Sequence, residues 1–317
     1  HRLCAAVVQL AIGSGHAAPG HRGTYPALFQ LQAAGDGIVC LHRQHRYQQC
    51  GKQHSFDYHR ASSALVDHRS MTAPLELFNH GPITEIRLAR PPVNALDTEL
   101  CRALIAAIDQ AHADDAQGLL LSGGERIFSA GMDVPHLVGH GDDRAALMDS
   151  WQAFFGAVRA LGNSRMPVVV AIGGHCPAGG CVLSLACDYR VMARSVDPAR
   201  PFQIGLNEVQ VGLVAPEGIQ RMLRRLVGVH RAGQLLIGGE MVSAERALQL
   251  GMVDELVDGD QVRGRALAWL QGQLRLPRAP MLATRAIARA DLVQALAAEH
   301  IQIERFVDAW YSADAQA

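Results

Sequence analysis

Apolar and polar positions divide this chain into two regimes. Residues 1–70 carry no sustained apolar repeat at either the helical or the strand period, whereas a regular pattern begins at Met71. Ile83-Thr84-Glu85-Ile86-Arg87-Leu88-Ala89 alternates and predicts a strand, and Pro91-Pro92 then forces an extended turn. Asp97 stands as an N-cap with Glu99 in the first turn, and the helix it opens carries Leu100, Leu104, Ile105 and Ile108 along one face. The glycine-closed run 118–124 predicts a buried strand and turn. A helix is expected over 143–161 with Trp151, Phe154, Phe155 and Val158 inward, followed by a buried strand over 167–172. Further helices are expected over 216–227 and 230–237, and from Ser243 to a stop at Gly251. A strand over 252–257 and one or two amphipathic helices over 281–312 complete the pattern. Strands alternating with helices predict an α/β fold with strands buried on both faces, in which strand–strand–helix units recur.

Composition sharpens the division. Residues 1–70 hold eight of the fifteen histidines and seven basic against three acidic residues, a net charge of +4, while the remainder carries −5. Three readings of residues 1–70 stand side by side: translated upstream or otherwise disordered sequence, a targeting peptide, or a metal site. The last would use Cys40-Leu41-His42-Arg43-Gln44-His45 and Cys50, whose spacing matches no regular zinc pattern. The domain is therefore expected over 71–317, with a helical part over about 260–317.

Across the whole chain, 49% hydrophobic and 19% charged residues read as soluble and globular, and no apolar run has the length of a membrane helix. A net charge of −1 gives no reason to expect nucleic acid or an acidic membrane as partner. Basic residues are 28 Arg against the single Lys52, the mark of a GC-rich genome. Seven cysteines, an odd number with three close together, suit reduced thiols in a cytosol-like compartment. A cytoplasmic location is expected, or the mitochondrial matrix if residues 1–70 are a targeting segment.

The candidate chemistry lies in two stretches with one design. Ile127-Phe128-Ser129-Ala130-Gly131-Met132-Asp133-Val134 and Pro177-Ala178-Gly179-Gly180-Cys181 each follow a strand and expose main-chain N–H groups in a turn of small residues. Gly179-Gly180 would open a helix through Leu183 and Leu185, leaving its first N–H groups outward for an anion or a developing oxyanion. The simpler reading of either stretch alone is close packing of helix on strand. Within GGHCPAGGCVLSLACDY (173–189) the only acid is Asp188, so any catalytic carboxylate must come from elsewhere.

RIFSAGMDV, GGHCPAGGCVLSLACDYRV and IGLNEVQVGLVAPEG together resemble the enoyl-CoA hydratase/isomerase (crotonase) family from about Pro82 to Ala290. CPAGGC with CDYR and GLNE is most similar to the Δ3,Δ2-enoyl-CoA isomerases of fatty-acid β-oxidation. The resemblance implies a spiral of ββα units with a helical C-terminal region, assembled as a homotrimer or dimer of trimers. It implies an acyl-CoA thioester substrate whose oxygen is held by the N–H groups of Met132 and Gly179. Hydratases of the family carry two glutamates; the position matching one is Val182, and the other matches Glu208. One carboxylate suffices to move a proton from C2 to C4, whereas hydration also needs water held and activated. Glu208 in an apolar pocket is expected to have a raised pKa.

The family pattern further places Ala130, Gly131, Met132, Asp133 and Val134 against the substrate, with Asn207 orienting Glu208 or the thioester. Asp133 is also read as a cap and Asn207 as a turn residue. Arg285 and Arg289 match positions used near CoA phosphates, with Arg221, Arg224, Arg225 and Arg231 as the alternative cluster. The 143–161 helix could line the acyl pocket or belong only to the core. His175 with Cys176, Cys181 and Cys187 is read as buried small residues, and no metal or redox cofactor is called for. The expected activity is 3-enoyl-CoA to trans-2-enoyl-CoA isomerisation. A hydratase or other crotonase-type reaction and a non-catalytic acyl-CoA-binding subunit are the alternatives.

Overall fold

The computed structural model describes residues 73–316, and the readings of residues 1–70 lie outside the described residues. In chain order the strands are β1 (Leu75–His80), β2 (Ile83–Leu88), β3 (Gly118–Ser122), β4 (Val168–Ile172), β5 (Cys176–Pro177), β6 (Tyr189–Ala193), β7 (Gln203–Gly205), β8 (Met241–Ser243) and β9 (Glu255–Val257). The helices are α1 (Thr98–Ala113), α2 (Val134–Gly139), α3 (Arg144–Gly162), α4 (Ala178–Leu185), α5 (Glu217–Val227), α6 (Val229–Gly238) and α7 (Ala244–Leu250). A C-terminal run follows: α8 (Val262–Leu274), α9 (Arg278–Ala288), α10 (Ala290–Ala295), α11 (Ala298–Ile301), α12 (Ile303–Trp310) and α13 (Ala313–Gln316).

The main sheet runs β1-β2-β3-β4-β6-β9, antiparallel at the β1–β2 edge and parallel elsewhere. A second ladder runs β5-β7-β8, extended by a bridge from Ile127 to His175. The chain thus passes from a main-sheet strand to a short second-ladder segment and then to a helix, as in β4, β5 and α4. This repetition is the strand–strand–helix recurrence of the sequence. It brings the segments after β3 and β4, both glycine-rich, to the same side of the molecule.

Both faces of the main sheet are buried, which is why its strands read as continuous apolar runs. Leu120, Val169 and Val191 pack beneath Val262, Ala266 and Leu270 of α8, while Leu119, Leu121 and Val170 face the core shared with α1 and α3. The α1 cap forms as expected: the Asp97 carboxylate accepts from Leu100 N at 2.8 Å. Ser243 caps α7 through Arg246 N, and Gly251, with φ +78°, ends it.

Several expectations need correction. The segment 281–312 holds not one or two helices but parts or all of four, because the backbone leaves the helical conformation at Arg289 (φ −108°, ψ 5°), Ala297 is extended and Gln302 is left-handed (φ +48°). Apolar spacing persists across those breaks, so periodicity alone reads through them. The strand expected over 252–257 is confined to Glu255–Val257, since Met252 N and Val253 N return to Ala247 O at the end of α7. Edge strand β1 went unread because its exposed positions blur the alternation. Within the region expected to be helical, α8 has only the sparse buried stripe Val262, Ala266, Leu270. No helix of the described residues is long and apolar enough to cross a membrane.

Candidate active site

Main-chain hydrogen bonds build the first glycine turn. Asn94, itself at φ +50°, accepts from Arg90 N (2.9 Å) and donates from Nδ2 to Phe128 O (2.9 Å). Ser129 Oγ donates to Asn94 O (2.7 Å) and accepts from Gly131 N (3.2 Å), while Ala130 N donates to Val93 O (2.9 Å). Leu96 N to Gly131 O (2.8 Å) and Asp133 N to Leu96 O (3.0 Å) then pin both sides of Met132. Its own N–H makes no hydrogen bond among the described residues. Nothing local in the sequence marks the roles of Asn94 and Arg90, because residues 94 and 128 are far apart in the chain.

The second turn docks on the first. Gly131 has φ +88°, and a Cβ there would lie 3.1 Å from both Ala178 Cβ and Gly179 N. A Cβ on Gly179 would lie 3.2 Å from Gly131 Cα and 3.3 Å from Met132 N. The two backbones therefore meet at a separation tighter than most Cβ-bearing residues tolerate. Gly179 is the second residue of α4, so no carbonyl within the helix serves its N–H, and the N-cap Pro177 offers no side-chain acceptor. Ala178 stands at φ +46°, an unusual conformation for a residue with a Cβ.

Beside these turns lies a cavity of about 90 Å³, walled by Met132, Val134, Gly179, Val182, Glu208 and a group of aromatic side chains. Ala130 and Asn207 also line it. Glu208 is the only ionisable side chain among its described lining residues. The glutamate opens a single 3₁₀ turn (Glu208–Val211) that Gly212 closes at φ +74°. The residue as a whole is partly exposed, but its Oε2 is enclosed and has no hydrogen-bond partner among the described residues. Burial among apolar groups pushes the carboxyl up to about 7, slightly opposed by its own backbone N–H. Such a group exchanges a proton readily near neutral pH.

Other sequence candidates separate into those at the cavity and those outside it. Val182, 3% exposed, forms part of the cavity wall. Asp133 caps α2 through His136 N (3.0 Å) and pairs with Arg90 Nη1 (2.8 Å), so it is held away from the cavity. Asn207 precedes the 3₁₀ turn with no side-chain capping bond. His175 Nδ1 accepts from Gln203 N at 3.2 Å. Cys176, Cys181 and Cys187 are free and fully buried, and burial pushes all three thiols up, away from the thiolate form.

Arg285 and Arg289 require a correction. Arg285 pairs with Asp188 (2.8 Å) and donates to Ser164 O (2.6 Å). Arg289, 4% exposed, pairs with Asp188 (2.5 Å) and donates to Gly162 O (3.0 Å) and Ala186 O (2.8 Å). Both guanidinium groups tie α9 to the ends of α3 and α4, which argues against the phosphate-contact role. Arg285→Ala is therefore expected to cost about 2 kcal/mol of stability and to leave KM for acyl-CoA within about twofold of the parent. Urea denaturation and steady-state kinetics check both parts.

The paired turns with a lone shielded carboxylate correspond to a known family. A family model described as enoyl-CoA hydratase/isomerase matches residues 79–315. The chain belongs to the enoyl-CoA hydratase/isomerase family. Human mitochondrial enoyl-CoA delta isomerase 1 is 32% identical over 209 residues, covering 65% of this chain and 67% of that protein. The probable enoyl-CoA hydratase echA17 of Mycobacterium avium is 35% identical over 203 residues, covering 63% and 75%. The crystal structure of human mitochondrial delta3-delta2-enoyl-CoA isomerase superposes with a TM-score of 0.70 at 29% identity, over 77% of this chain and 94% of that one. The architecture is the crotonase-type spiral, and family membership brings an acyl-CoA as the class of substrate. Relatives of both names occur at similar identity, so the reaction has to be argued from the site.

Proposed function

We propose that this enoyl-CoA hydratase/isomerase family member is a Δ3,Δ2-enoyl-CoA isomerase. The observation that carries the reading is that Glu208 is the one ionisable side chain among the described residues lining the cavity, with Val182 in place of a second acid. The ionised carboxylate takes a proton from C2 of the 3-enoyl thioester. Electron density moves through C2 and C1 onto the thioester oxygen, where the N–H groups of Met132 and Gly179 meet the developing charge. Protonated Glu208 returns the proton to C4, the C2=C3 bond forms, and the carboxylate is regenerated. The apolar wall keeps water from the dienolate and strengthens the two donors.

A hydratase named among the relatives favours the rival reading, but hydration asks one group to activate water while C2 is protonated. A lone carboxylate beside valine serves proton return better. The assembly that accompanies the proposal is a homotrimer or a dimer of trimers, which light scattering of the purified protein distinguishes.

A single shuttling base makes a specific isotopic prediction. With a substrate deuterated at C2, part of the label reappears at C4 of the product, because the same carboxyl carries it. Complete washout to solvent, at every stage of the reaction, contradicts a shielded single base.

A further inference from the structure

The aromatic wall of the cavity bears on the substrate class. The chain is poor in aromatic residues, 5% of its composition, yet Trp151, Phe154, Phe155, Phe306 and Trp310 all line this one pocket. The first three come from α3 and the last two, four residues apart, from α12. They interlock: Trp151 and Phe306 are edge to face at 4.4 Å between centroids, Phe154 and Phe155 are 5.0 Å apart, and Trp151 and Trp310 are 6.5 Å apart. All five are buried. Outside them α12 is fastened to the start of α3 by an Arg144–Asp308 ion pair and by Tyr311 Oη donating to Gly141 O (3.1 Å).

From this wall, and resting on the isomerase reading of the same site, we infer that Phe306 and Trp310 close the acyl pocket and make the enzyme specific for short-chain enoyl thioesters. The scale follows from the volume. An apolar cavity of about 150 Å³ holds the six carbons of benzene, so the 90 Å³ here holds about four carbons by the same proportion. Part of that space belongs to the thioester end. Rigid side chains packed against one another in a dense core do not yield cheaply to additional methylenes. The acyl groups that fit are those of about four carbons.

The test separates this inference from the reaction on which it rests. Calorimetric affinities are measured for unreactive butanoyl-, hexanoyl-, octanoyl- and dodecanoyl-CoA, alongside turnover of 3-enoyl-CoAs of six to twelve carbons. In an open apolar channel affinity would rise about fourfold per methylene. The closed pocket predicts a plateau from butanoyl-CoA onward, with kcat/KM greatest for 3-hexenoyl-CoA, the shortest of the turnover series. Phe306→Ala and Trp310→Ala move the plateau to octanoyl-CoA or beyond; Phe306→Leu and Trp310→Phe serve if the alanine variants do not fold. Affinity that keeps rising to dodecanoyl-CoA in the parent protein overturns the inference and leaves the isomerase standing. A plateau that the variants do not move overturns the assignment to these two residues. A plateau without turnover at any length sinks the isomerase and leaves the short pocket.

Discussion

Glu208→Gln is expected to lower kcat by about 10²–10⁴-fold while the protein stays folded and binds acyl-CoA. The amide keeps the size of the side chain but can neither take the C2 proton nor return one to C4. The parent enzyme's pH dependence belongs to the same prediction. The reactive form is the carboxylate, and burial holds its pKa at about 7. Hence kcat/KM climbs about tenfold per pH unit below that value and levels above it. Stability runs the opposite way. Between the ordinary value of 4.5 and about 7 the folded protein keeps a proton on Glu208 that the unfolded chain has released. Folding is therefore progressively weakened as pH rises through that window, by up to about 3 kcal/mol once the carboxyl is ionised. Glu208→Gln lacks this penalty, so the variant gains stability relative to the parent from pH 5 to pH 8. Denaturation midpoints across that range, with the rate profile, test both signs. A flat stability difference would mean that the carboxyl is solvated.

Gly179→Ala is expected to reduce kcat about 10²–10³-fold, the loss that follows when one oxyanion donor fails, with much less effect on KM. The added Cβ would sit 3.2 Å from Leu96 Cδ1 and 3.3 Å from Met132 N, against the very N–H it would need to leave free. The neighbouring strand cannot retreat, because Leu96 is bonded to residues on either side of Met132. Ala178→Gly is the matched control: it relieves the positive φ of Ala178 and adds no atom to the turn, so activity should survive. Rapid quench and steady-state kinetics on both variants decide whether the N–H pair acts in the transition state. A rise in KM with kcat intact would assign the turns to ground-state binding alone.

Local signals carried much of this into the sequence. Asp97 and Ser243 are caps that bond within their own first turns, and Gly251 marks a helix end by its left-handed backbone. Glu208 was legible through the short segment around it, as was the replacement of an acid by Val182. What stayed hidden depends on residues far apart in the chain. Asn94 holds the 128–132 turn across more than thirty positions. Arg285 and Arg289 look like free basic residues until Asp188, about a hundred positions away, is found between them. Glu85, fully buried, is met by Ser122 (2.7 Å) and Arg263 (3.0 Å), a polar cluster that strand alternation gives no reason to suspect. Phe306 and Trp310 read only as one face of an amphipathic helix. Their spacing shows that they share a face, but not that the face closes a pocket lined by α3.

The central claim is a reaction, and the most direct measurement is the ultraviolet absorbance of the conjugated thioester. The protein is mixed separately with a 3-enoyl-CoA and with the corresponding trans-2-enoyl-CoA. Conjugated absorbance is expected to appear from the first substrate and to persist in the second. Absorbance lost from the second substrate, with none gained from the first, would mean that water is added and that Glu208 is not working alone.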